Sequence, residues 1–207
     1  MRKHDFIRDG DGWQTLGEEI HYENPHVTLA THTLLTPTRQ DPRQPAKWVV
    51  AHRKAAVVVA PQTAEGDFLL VRQERIPVRA SLWEFPAGQI DEDKVGLENT
   101  AVIEETVRRE LREETGYELP DDARGELVAL GMFFTSQGFT DEHNYLYLAR
   151  GVVRSARGSE HGEHEAITDC RAFSLQELRQ MIAAGELRDA NTLSLYARLV
   201  ARGLVEP

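Results

Sequence analysis

Residues Arg108 to Tyr117, reading RRELREETGY, leave the chain fewer structural choices than any other segment. Wound as an α-helix at about 100° per residue, they set Glu110 and Glu114 about 40° apart, with Glu113 about 60° to the other side of Glu110. Three carboxylates therefore converge on one patch. Val107 and Leu111 have the spacing of a buried stripe, and Glu114 falls within about 20° of Val107 in azimuth, so the patch borders the core. Carboxylates in such a place repel one another and lose hydration, and they require protons, arginines or cations. Hard divalent cations answer that need, because Mg²⁺ takes oxygen ligands from a few carboxylates and keeps positions for water and substrate phosphates. Taken alone, the string also fits a solvated Arg/Glu helix in which Arg109 pairs with Glu105 and Glu113.

Two flanking segments bear on the choice. In LWEFPAGQID (82–91), Trp83, Phe85 and Pro86 suggest a buried strand end followed by a tight Pro-Ala-Gly turn. Gly88 there permits close backbone approach, which makes the Ala87 carbonyl a candidate ligand. GEHEAI (162–167) adds Glu163 and Glu165 in a polar, Gly-bearing loop, which taken alone reads as a solvated acidic loop.

Strand-like runs occur at 26–35, 47–53, 55–60, 67–73, 126–134, 143–150 and 169–174, and helical patterns at about 100–115, from Ser174 and from Asp189. Ser174 and Glu177 form a capping box, Asp189 is an N-cap, and Gly203 stands just past a helix end. The proline-bearing stretch TPTRQDPRQPAK (36–47) reads as a hairpin loop or connection. Residues 1 to about 53 are expected to form a small N-terminal antiparallel β unit. Residues 54–207 are expected to fold as α+β, an α/β/α sandwich around a mixed sheet. No internal repeat or low-complexity tract is visible.

Composition narrows the partners. With 34 acidic against 24 basic residues the formal charge is -10, which argues against nucleic acid and anionic membrane as partners. The single Cys170 excludes a disulfide framework and points to a reducing compartment. No apolar run reaches the roughly 18–20 residues of a membrane span, and the start lacks the apolar segment of a secretory signal, so a cytoplasmic location is expected. The eight histidines look scattered, and His161 and His164 are read as solvated loop residues.

Gly88 together with Arg109-Glu110-Leu111-Arg112-Glu113-Glu114-Thr115-Gly116-Tyr117 resembles the Nudix box, Gly-x5-Glu-x7-Arg-Glu-U-x-Glu-Glu-x-Gly-U, of the Nudix hydrolases. Its C-terminal half matches at every fixed position. Its N-terminal half is longer: 20 residues separate Gly88 from Arg109, so DEDKVGLENT (91–100) holds an insertion of about seven relative to the family pattern, and Ala101 occupies the first Glu position. Glu98 and Glu105 are the neighbouring acids that could substitute. YENPHVTL, LVRQERIP, FFTSQGFTDEHNYLYLA and GELRDANTLSLY are similar to segments of the ADP-ribose pyrophosphatase branch, which has Ser-Pro-Gly where this chain has Ser136-Gln137-Gly138.

The resemblance implies a Nudix sandwich preceded by a small β domain that helps build a homodimer. It implies Mg²⁺, or Mn²⁺, held by Glu110, Glu113, Glu114 and the Ala87 carbonyl, with Glu165 as a further acid at the metal. Glu163 would be the catalytic base, acting with Glu110 and Glu114. Arg75 would contact the diphosphate, Trp48 would stack on the nucleobase, and Gly138 would line the substrate. Read from the residues alone, Arg75 could instead close a salt bridge to Glu84, and Trp48 could be core or interface. The expected activity is hydrolysis of a nucleoside diphosphate linked to another group, with ADP-ribose giving AMP and ribose 5-phosphate. The alternatives are another nucleotide sugar or a dinucleotide, and a non-catalytic nucleotide sensor, which the intact box acids disfavour.

Overall fold

The computed structural model describes Ile7 and residues 9–90, 100–160 and 166–206. Strands β1 (Gln14–Glu23), β2 (Thr28–Leu35) and β3 (Ala46–His52) form an antiparallel three-stranded sheet. The proline-bearing stretch is the connection between β2 and β3. The body is built from β4 (Ala56–Thr63), β5 (Phe68–Arg75), β6 (Ala80–Glu84), β7 (Ala87–Gln89), α1 (Thr100–Thr115), β8 (Tyr117–Glu118), β9 (Glu126–Phe134), β10 (His143–Arg154), β11 (Ile167–Phe173), α2 (Leu175–Ala183) and α3 (Ala190–Ala201).

Its sheet follows the order β11-β5-β4-β10-β8, with β6 on β5, β7 on β4 and β9 on β10. The β4–β10 pair is parallel and the others are antiparallel, which makes the sheet mixed. Central β4 is covered on both faces, and that is why AAVVVA reads as one apolar run rather than an alternation. Val57 and Val59 pack with Ile103, Val107 and Leu111 of α1. Val58 and Ala60 turn the other way, toward Leu178 of α2 and Leu195 and Leu199 of α3. The result is the expected α/β/α sandwich.

Local chemistry sets the helix ends. The Ser174 hydroxyl accepts from the Glu177 amide at 3.2 Å while the Glu177 carboxylate accepts from the Ser174 amide at 2.7 Å, a complete capping box. Asp189 caps α3 by accepting from the Thr192 amide at 2.7 Å. At the end of α1, Gly116 takes φ +71, and a Cβ there would meet the Ser159 amide nitrogen at 3.1 Å, so glycine serves both the turn and the close approach.

β1 is the longest strand that the sequence pattern does not announce. Register shifts between Thr15 and Gly17 and between Ile20 and Tyr22 break its period of two, and nearly all of its residues are exposed.

Candidate active site

Helix α1 places Glu110 and Glu114 against β7. Both acids are almost fully buried, 3% and 2% exposed, on the face that carries Ile103, Val107 and Leu111. A Cβ on Gly88 would sit 1.9 Å from the Glu110 Cδ, in the space the carboxylate occupies. The neighbouring Ala87 amide donates to Glu114 Oε2 at 3.1 Å. The glycine inferred from sequence therefore admits a carboxylate to the strand backbone.

Arginines frame the acids. Arg109 lies 2.7 Å from Glu110 Oε1 and 3.1 Å from Glu113 Oε2. Arg112 reaches Glu113 at 3.0 Å and Glu160 at 3.1 Å. The i,i+4 pair of a solvated helix is thus present on one flank, and the buried Glu110 and Glu114 lie on the other. Ala101, at the first box Glu position, is exposed on the opening turn of α1, and Glu105 is exposed one turn further on. Glu98 lies outside the described residues.

Glu163 and Glu165, with His161 and His164, also lie outside the described residues, but both ends of their segment are fixed beside the site. The Glu160 amide donates to the Glu113 carbonyl at 3.0 Å, and the Glu74 amide donates to the Ala166 carbonyl at 3.0 Å. One end is anchored on α1, and the other on β5 next to Arg75.

Arg75 forms a two-pronged pair with Glu84, its Nε donating at 3.0 Å to Oε1 and Nη2 to Oε2 at 2.5 Å. Burial pushes the Glu84 carboxyl above the ordinary range, against the pull of Arg75. Burial would by itself lower Arg75, but the Glu84 hydrogen bond and the charges of Glu84, Asp189 and Glu114 hold it above its ordinary value. The two shifts have different causes, burial for Glu84 and the surrounding carboxylates for Arg75, and the pairing leaves the guanidinium charged and fixed in orientation. Arg75 also lines a cleft of about 370 Å³ with Glu74, Ile76, Arg79, Ala80 and Ser81.

Trp48 and Gly138, far apart in sequence, meet: the indole N–H donates to the Gly138 carbonyl at 2.9 Å while 58% of the residue stays exposed. The same loop is fastened to β3 by the Ala51 amide on the Phe139 carbonyl at 2.9 Å and by the Thr140 hydroxyl on the Ala51 carbonyl at 2.6 Å. Gln137 is exposed in this loop. Sequence reasoning missed Asp141, which accepts from the Arg53 amide at 3.0 Å and lies 2.6 Å from His52 Nδ1. It also missed that His32 and His52 come together.

Comparison with known proteins identifies the family and the fold. The NUDIX domain matches residues 51–196. An ADP-ribose pyrophosphatase of Mycobacterium tuberculosis (strain ATCC 25618 / H37Rv) is 30% identical over 214 aligned positions, covering all of this chain and 90% of that protein. A methanol dehydrogenase activator of Bacillus methanolicus is 33% identical over 150 residues, covering 72% of this chain and 74% of that one. Among solved structures, an ADP compounds hydrolase superposes with a TM-score of 0.69 at 16% identity, over 96% of this chain and 100% of the other, and shares the fold. With Glu110 packed on Gly88 and the family match running from β3 into α3, the chain belongs to the Nudix family and is a Nudix hydrolase of the ADP-ribose pyrophosphatase-like branch.

Proposed function

We propose that this chain is a Mg²⁺-dependent diphosphatase that splits ADP-ribose into AMP and ribose 5-phosphate. The observation that carries the proposal is the burial of Glu110 against Gly88 and of Glu114 against the Ala87 amide, an all-oxygen donor set at the edge of the core. Glu110, Glu113, Glu114, the Ala87 carbonyl and Glu165 are the donors that would hold Mg²⁺, or Mn²⁺ in its place. When bound, the cation neutralises the charge of the diphosphate and acidifies the attacking water.

The chain's own groups do the rest. Arg75, held by Glu84, clamps non-bridging phosphate oxygens with a fork already set in direction. Glu163 accepts the proton of the water that attacks phosphorus as the P–O–P bond breaks. Trp48, fixed through its N–H to Gly138, keeps a ring face for the nucleobase, and a Cβ at Gly138 would point into open space, so that loop has room for the substrate.

Residues 1–53 are assigned to a dimerising unit and 54–207 to the hydrolase domain. Supporting the homodimer, Trp13, Leu16, Ile20, Tyr22, Trp48 and Val49 are exposed apolar residues concentrated in the N-terminal segment. No helix among the described residues is long and apolar enough to cross a membrane. We assign the chain to the cytoplasm on its single thiol, and the charge of -10 disfavours nucleic acid as a partner.

A second reading replaces ribose 5-phosphate by another linked sugar or nucleotide, and Gln137 in the substrate loop favours it. The test is a product-resolved panel of ADP-ribose, nucleotide sugars, dinucleotides and nucleoside triphosphates with Mg²⁺ and Mn²⁺. ADP-ribose is expected to lead, and a strong preference for triphosphates would overturn the assignment.

A further inference from the structure

The N-terminal sheet contains a second group of ligand-type side chains, one from each strand: Glu18 of β1, His32 of β2 and His52 of β3. Strand register sets Glu18 directly opposite His32. His32 Nε2 and His52 Nε2 are 2.7 Å apart, and Glu18 Oε1 lies 3.5 Å from the first and 3.7 Å from the second. Two imidazole nitrogens and one carboxylate oxygen thus form a triangle. Tetrahedral bonds of about 2.0–2.1 Å set ligand atoms roughly 3.3 Å apart, and the three edges bracket that length.

Burial and orientation favour a built site over a chance grouping. The side chains are 17%, 11% and 14% exposed, in the order Glu18, His32, His52. Behind His52, Asp141 Oδ2 lies 2.6 Å from Nδ1, with its own side chain 9% exposed. A carboxylate on the far ring nitrogen is the arrangement that fixes a ligating histidine's tautomer and aims its other nitrogen at a metal. Imidazole donors suit Zn²⁺, whereas Mg²⁺ prefers oxygen, so this donor set differs in kind from the glutamates of α1.

We propose that Glu18, His32 and His52 form a Zn²⁺ site that fastens the three N-terminal strands together, with Asp141 as the positioning residue. Because Asp141 belongs to the loop that holds Gly138, the metal also ties the sheet to the substrate side of the molecule. The site is independent of the hydrolase assignment.

The test uses the full chain, stripped with a chelator, in wild type and in a Glu110→Gln/Glu114→Gln background that removes the box acids. Zn²⁺ and Co²⁺ binding is followed by calorimetry and by the visible bands of tetrahedral Co²⁺. One equivalent of metal is expected in the Glu110→Gln/Glu114→Gln background, and that equivalent plus the metal held by the box acids in the wild type. Affinity should fall at least about 100-fold in His52→Ala and about 10- to 100-fold in Asp141→Asn. Glu18→Gln, a near-isosteric change, guards against an unfolded histidine variant, and circular dichroism checks each fold. Absence of binding in the Glu110→Gln/Glu114→Gln background, or unchanged affinity in folded His52→Ala and Glu18→Gln, would overturn the site.

Discussion

Helix α1 and the N-terminal sheet each gather ionisable side chains, by different routes. On α1 the gathering is local: Glu110, Glu113 and Glu114 lie within five residues, and helical geometry alone puts them on one patch. In the sheet it is non-local: Glu18, His32 and His52 are separated by 14 and 20 positions, and strand pairing brings them together. The chemistry differs too, all oxygen at one place and mostly nitrogen at the other. Periodicity exposes the first kind of site, and only register exposes the second.

The largest effect expected from breaking the comparison is on the α1 side. Gly88→Ala drives a methyl group into the Glu110 carboxylate, so turnover should drop about 100-fold as the acids are displaced. Overpacking should also cost about 1–3 kcal/mol in a urea titration. Unchanged activity and stability would mean that the close approach of β7 to α1 has no role.

Arg75→Ala comes next. Losing the phosphate clamp should reduce kcat/KM about 10- to 100-fold, mostly through KM. Removing one member of a fully buried pair costs about 3–5 kcal/mol, and a side chain 38% exposed to solvent scales that to about 1–2 kcal/mol. A loss of stability with kinetics intact would reduce Arg75 to a structural partner of Glu84.

On the sheet side, His52→Ala in metal-free protein should cost about 1–3 kcal/mol, because the Asp141 carboxylate loses its histidine. Its kcat/KM should fall less than about tenfold, since His52 touches the 135–142 loop through Asp141. A deficit as large as that of Gly88→Ala would erase the distinction between the two regions.

Cys170 on β11 belongs to neither region, and its thiol is pushed up to about 11 by burial and by Asp169. At pH 8 such a thiol is about 0.1% thiolate, so alkylation should run about 100-fold slower than for free cysteine and rise tenfold per pH unit. Mass spectrometry of iodoacetamide labelling measures this, and labelling at the free-thiol rate would contradict the burial.

Much of the sandwich was legible because its signals are local. The period of 3.6 in α1, the Ser174–Glu177 box and the Asp189 cap each act within one or two turns. The two-sided burial of β4 left its mark as an uninterrupted apolar run. β1 was hidden by its bulges, and β7 and β8 by their brevity, three and two residues, too short for any periodicity to register, whereas the end of β6 showed in Trp83 and Phe85. In the site, Gly88 and the three glutamates could be read from spacing. The Trp48–Gly138 contact and the Asp141–His52 pair, 90 and 89 residues apart, depend on how the sheet meets the loop, which no window of sequence contains.

Steady-state hydrolysis of ADP-ribose with Mg²⁺ by the wild-type chain and by Glu114→Gln, with products separated by chromatography, measures the proposed reaction itself. The wild type is expected to release AMP and ribose 5-phosphate in equal amounts, and the variant to fold normally and lose about 100- to 1000-fold in kcat. Near-wild-type turnover by a folded Glu114→Gln, or a wild type that releases no AMP, would contradict the account.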